Sequence, residues 1–198
     1  MSDKCSTCSM SGSCDTGECP TRLPPGILSE YDLNRPLADG IAVWLEVSEN
    51  EIERTSLEAV SKAHELDSGR VFGILFGDGE KRSLYGEAFE HGVDSLYHIR
   101  FPKLNEFHGN AYAEAIGDII ERVQPAALMI PSTDNGSVLM KRISKMFRRE
   151  FSPLKEFCGP FPVLVSVDPH EFTVKKEKGR KGTAMNVVPS SAVVSLIE

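Results

Sequence analysis

The chain has 198 residues, 40% of them hydrophobic and 26% charged, with a formal net charge of −7 at pH 7. That length suits one good-sized domain with a small appendage, able to bury about 70% of the surface its unfolded chain exposes. An acidic balance disfavours nucleic acid and anionic lipid as partners, and the apolar runs "VFGILF" and "AALMI" are far too short to span a bilayer.

In chain order, residues 1 to 40 hold Cys5, Cys8, Cys14 and Cys19, four of the five cysteines, together with Pro20, Pro24, Pro25 and Pro36. No helical or strand period runs through them, and no apolar h-region follows the polar start, so a cytoplasmic protein is expected. The organisation reads as a Cys-rich metal- or cluster-binding segment over 1–22, a linker over 23–39 and a globular domain over 40–198. From Ile41 apolar runs alternate with amphipathic stretches, the mark of an α/β domain with a mostly parallel sheet and helices on both faces.

Strands are predicted at Ala42 to Val47, Val71 to Phe76, Ser95 to Phe101, Ala126 to Pro131 and Pro162 to Val167. Between them "TSLEAVSKAHEL", "EKRSLYGEAFEHG", "NAYAEAIGDIIERV" and "GSVLMKRISKMFRRE" carry helical spacing. The last is expected to bury Val138, Leu139, Ile143, Met146 and Phe147 and to expose Lys141, Lys145, Arg148 and Arg149. "PHEFTVKKEKGRKG" reads as a polar loop, and "TAMNVVPSSAVVSLIE" as two short strands interrupted by Pro189.

The first candidate site is the thiol quartet. Its spacing is C-x2-C-x5-C-x4-C, and Pro20 follows the last cysteine, as in many cluster-binding runs. Four thiolates complete the ligand set of a 4Fe-4S cluster or of tetrahedral zinc, and in a reducing compartment such a cluster favours metal over disulfides. A C-x2-C pair clasps one centre without a preformed fold, Gly12 and Gly17 relax the backbone, and a structural site contributes roughly 10 kcal/mol to folding. A tail of free thiols is the competing reading. Cys158 reads as a small buried or loop residue.

The second candidate is Ser132, Thr133, Asp134, Asn135 and Gly136, at the carboxyl end of a strand and the start of a helix. Ligands bind at such crevices, and free amides there suit a phosphate. Ser132, Thr133 and Asp134 equally suit a plain helix N-cap, the favoured reading, since no Walker or Rossmann fingerprint occurs. Lys175, Lys176, Lys178, Arg180 and Lys181 form a basic run, read as a solvated loop with partner docking as the sharper option. The five histidines read as surface or cap residues, and no catalytic constellation is recognisable, which favours a carrier subunit over a stand-alone enzyme.

Four stretches carry a family resemblance: "GIAVWLEVSENEIERTSLEAVSKAHEL", "GVDSLYHI", "AYAEAIGDIIERVQPAALMIPSTDNGSVLMKRI" and "FPVLVSVDPHEFTVKKEKGRKG". In order and spacing they resemble the N-terminal domain of the electron-transfer flavoprotein alpha subunit over most of Gly40 to Gly182. The resemblance implies an adenine nucleotide alpha hydrolase-like fold. It departs from the family where Ser137 follows Gly136, a position commonly Arg, and where the stretch from Phe147 to Gly159 is compressed. With the chain ending at Glu198, the family's flavin-binding second domain is expected to be absent.

The resemblance favours an iron-sulfur centre over zinc at the cysteines. It implies an electron-transfer component working with a beta-like subunit and a redox partner, with FAD or AMP bound only through that subunit. A zinc-stapled interaction or regulatory module and an adenine-nucleotide-binding domain are the alternatives.

Overall fold

Seven strands, all paired in parallel, form the centre of the computed structural model, which describes residues 39–67, 70–154 and 162–197. The cysteine quartet, nearly all of the expected linker and Cys158 lie outside the described residues.

The elements are β1 (Ile41–Trp44), β2 (Val47–Ser48), β3 (Glu51–Ile52), α1 (Arg54–Leu66), β4 (Val71–Gly77), α2 (Arg82–His91) and β5 (Ser95–Arg100). A short 3-10 turn (Pro102–Asn105) leads to α3 (Gly109–Val123), β6 (Ala127–Pro131), α4 (Asp134–Phe147), β7 (Ser152–Pro153), β8 (Val163–Val167), β9 (Thr183–Val187) and α5 (Ser191–Ser195). The sheet order is β7-β8-β6-β1-β4-β5-β9.

Because strand side chains alternate, the buried strands feed two cores. Ala42, Trp44, Leu128 and Ile130 face one side with Ile116, Ile120, Leu139 and Ile143 of α3 and α4. Val43, Leu45, Ala127 and Met129 face the other with Leu57, Val60 and Ala63 of α1 and Leu84 and Ala88 of α2. Among the described residues no helix is long and apolar enough to cross a membrane.

The structure corrects the sequence reading in four places. The first strand stops at Trp44, three residues early, because the chain turns into a separate two-stranded hairpin of β2 and β3. The expected second C-terminal strand is the helix α5. Ser190 caps it by accepting a hydrogen bond from Val193 N at 3.4 Å, and Val193 and Ile197 bury against the α3 side of the sheet. Val138 is 40% exposed, not buried. Finally, two histidines are interior: His91 is 7% exposed and His98 fully buried.

His98 lies in β5 with its Nδ1 hydrogen bonded to Tyr85 Oη at 2.6 Å. Burial, and then the positive charges of Arg100 and Lys81, push its pKa down to about 4. An unfolded histidine titrates near 6.5, so between those values the unfolded chain binds the extra proton and folding stability falls as pH falls. Urea titrations at about pH 7 and pH 5 should differ by about 2 kcal/mol from this group, and His98→Phe should shrink the difference.

In the β2–β3 hairpin Glu49 and Asn50 form a two-residue turn with φ of 51° and 66°. Both being left-handed, the turn is of the kind that prefers Asn-Gly. The double substitution Glu49→Asn and Asn50→Gly should raise thermal stability by about 0.5–1 kcal/mol, read as a higher Tm.

Candidate functional site

From β1 the chain builds outward through β4 and β5, then returns to the other side of β1 to lay down β6 and β8. The carboxyl ends of β1 and β6 therefore flank a topological switch point, where the loops part and leave a crevice. Three segments meet there: the residues after β1, the β6–α4 loop, and the 3-10 turn with the start of α3.

Glu46, two residues beyond β1, is 9% exposed. Its carboxylate accepts a hydrogen bond from Thr133 Oγ1 and another, at 2.8 Å, from Asn135 Nδ2. Its own backbone is held as well: Glu46 N donates to Ser56 Oγ at 3.0 Å, and its carbonyl accepts from Glu53 N at 2.9 Å. Thr133 is at the same time the N-cap of α4, accepting from Gly136 N at 3.0 Å. A buried anion thus sits beside the positive end of the α4 dipole and takes two side-chain donors of the loop.

All five residues proposed for the loop gather here. Ser132 N donates to Val167 O at 2.8 Å, Thr133 and Asn135 turn onto Glu46, and Asp134 is exposed in the first turn of α4. Gly136 packs against the end of β6, and a Cβ there would lie 1.8 Å from Pro131 O. Glu46 itself escaped the sequence reading. The only signal was an acid inside the apolar run "WLEV" at the end of a strand.

Beside Glu46 opens a cavity of about 190 Å³, walled by Trp44, Phe76, Phe107 and Tyr112 and edged by Lys81 and Asn135. Phe76 and Tyr112 stack at 3.9 Å, and Tyr112 meets Phe107 edge-on at 5.1 Å. Tyr112 Oη donates to Leu104 O at 2.8 Å, and burial raises its pKa, with Glu46 adding to the rise. Trp44 is 1% exposed, and its Nε1 has no hydrogen-bond partner among the described residues.

Lys175, Lys176, Lys178 and Lys181 of the basic run are exposed, as a solvated loop should be, and Arg180 is half-buried. Lys175 pairs with Glu65 of α1, Lys176 with Glu90 of α2 at 3.0 Å, and Arg180 with Asp94 at 2.6 Å. His91 Nδ1 donates to Lys175 O, and Ser61 Oγ accepts from Lys175 N at 2.9 Å. The segment is a strap laid across the ends of α1 and α2 and held by ion pairs of Lys175, Lys176 and Arg180, the two lysine pairs being open to solvent. Among the described residues no group of three or more His, Cys, Asp or Glu is placed to hold a metal.

The family model described as "Electron transfer flavoprotein domain" matches residues 41–150, more than half of the chain. This chain belongs to that family. It is 28% identical over 140 residues to "Lactate dehydrogenase (NAD(+),ferredoxin) subunit LctC" of Acetobacterium woodii, a match covering 66% of this chain and 33% of the relative. It is 30% identical over 70 residues to "Protein FixB" of Azotobacter vinelandii, covering 34% of this chain and 19% of that one. The chain thus spans a third or less of the curated relatives it matches. The matched span of this electron transfer flavoprotein domain runs from β1 to the end of α4 and includes Glu46, the cavity and the capped loop.

Proposed function

We propose that this protein is a cytoplasmic electron-transfer component in which an alpha-like electron transfer flavoprotein domain carries an iron-sulfur centre on Cys5, Cys8, Cys14 and Cys19. One observation carries the reading: a domain of this family is joined in one chain to four thiols closely spaced before Pro20. The Acetobacterium relative, named as a subunit of a dehydrogenase that uses NAD+ and ferredoxin, supports a role in electron transfer.

Four thiolates suit a 4Fe-4S cluster, with zinc as the competing occupant. A beta-like subunit supplies flavin or adenine nucleotide, and the cluster passes electrons between that subunit and a redox partner. The Glu46 network supports assigning nucleotide to the companion, since a carboxylate already occupies the donors of the β6–α4 loop.

The test is anoxic purification with iron, sulfide and zinc analysis and an absorption spectrum. Brown protein with iron and sulfide, bleached by dithionite, is the expected result, and Cys8→Ser should abolish the iron loading. Colourless protein with stoichiometric zinc would replace the relay with a zinc-stapled module.

A further inference from the structure

We propose that the outer face of α4 is the docking surface for the chain's own Cys-rich segment from Cys5 to Cys19, held there by opposite charge. The inference rests on the four-thiolate metal centre proposed for those cysteines and names where that centre sits on the domain.

Helical spacing builds the face. Leu139, Ile143 and Phe147 bury one side of α4, while Lys141, Lys145 and Arg148, at i, i+4 and i+7, are exposed. The row is about 10 Å long. Neighbouring Arg142 turns instead to Asn110 of α3. None of the three has a carboxylate partner among the described residues, whereas the exposed Arg54, Arg82, Lys175 and Lys176 each have one. The helix dipole favours a cation in the last turn, which covers Lys145, but Lys141 stands well before it. In a chain of net charge −7, such a row suits an anion from outside the domain.

The sequence supplies that anion. From Cys5 to Cys19 the chain carries Asp15 and Glu18 and no Lys or Arg. Four thiolates around zinc or a 4Fe-4S core add a net charge of about −2. Nucleic acid and anionic lipid have the same sign, but the negative charge of the whole chain repels an extended polyanion. A compact, tethered anion avoids that repulsion.

The tether arrives at the right end. Beyond the last turn of α4, Arg149 donates to Pro162 O, just before β8, at 3.2 Å. At that same end of the sheet Gly40 O, just before β1, accepts from Ala126 N at 2.8 Å. β1, β6 and β8 are successive neighbours, about 4.8 Å apart. A chain as long as Pro20 to Ala38 reaches about 20–25 Å on average. Exposed ion pairs are weak singly, and such a tether supplies an effective concentration of about millimolar that lets several weak pairs hold.

The test is zero-length carbodiimide crosslinking of the full chain, purified anoxically as a mixture of light and heavy-isotope protein, with metal analysed in the same sample. Peptide mapping should join Asp15 or Glu18 to Lys141 or Lys145 within one isotope label. The yield should fall severalfold at about 1 M salt, where the screening length is about 3 Å. Bound iron or zinc without those crosslinks would overturn the docking and leave the metal centre standing; protein holding neither metal would overturn both. Crosslinks only between labels would give the face to a second copy and overturn the contact within one chain. Trypsin gives a second readout: the triple change Lys141→Glu, Lys145→Glu and Arg148→Glu should speed cleavage after Arg22 severalfold with unchanged far-UV circular dichroism. Lys141→Arg with Lys145→Arg should leave that rate as it was. Equal rates in the charge-reversed and native chains would overturn the proposal.

Discussion

Gly136→Ala should lose about 3 kcal/mol of folding stability or more, a cost at or above the usual range for overpacking. The alanine Cβ would sit 1.8 Å from Pro131 O and 3.0 Å from Thr133 Oγ1. Neither neighbour is the far end of a flexible side chain: the first is the backbone of β6, and the second is the hydroxyl that caps α4 and binds Glu46. Relief requires the first turn of α4 to move away from the strand it follows. That shift uncouples the Thr133 cap and loosens Leu139 and Ile143, both fully buried against the sheet. Chemical denaturation with matched m-values is the direct measurement. A loss under about 1 kcal/mol would show that the helix start is not seated on Pro131 as described.

Glu46→Ala should cost about 2–4 kcal/mol, whereas Glu46→Gln should cost about 1 kcal/mol. Alanine leaves Thr133 Oγ1 and Asn135 Nδ2 without their acceptor and opens a void at the junction of β1, α1 and α4. Glutamine keeps the shape and one acceptor oxygen, and Asn135 can turn its amide to offer its own oxygen to the new NH2. What glutamine loses is the anion beside the α4 dipole, a contribution of up to about 1 kcal/mol. Equal losses in the two variants would mean that the charge, and not the hydrogen-bonded bridge, holds the loop. Measured side by side by urea denaturation, the pair separates the two contributions.

These two residues mark where sequence reasoning ended. Gly136 was singled out within a capped loop, because a Ser-Thr-Asp run before a helical stretch is a local signal that needs no tertiary information. Glu46 was not, because its partners Thr133 and Asn135 lie 87 and 89 residues away. The basic run shows the same limit. Its charges and their exposure were plain to read, but not its pairing with Glu65, Glu90 and Asp94, which come within reach only when α1 and α2 cover the sheet. His98 and α5 were missed for a related reason. One histidine in a strand has no period to show its face, and the apolar residues of α5 find a core only where α3 has already packed.

The amino-acid order by itself determined the class of fold, the parallel sense of the sheet, the family and the grouping of the four thiols. Each follows from patterns within a few neighbouring residues, or from the order in which such patterns recur. Only the tertiary structure decided that an acid fills the mouth of the loop, and that Lys175, Lys176 and Arg180 of the strap pair with the domain's own carboxylates. Those are relations between distant segments, set by which strands become neighbours, and local preference carries no record of them.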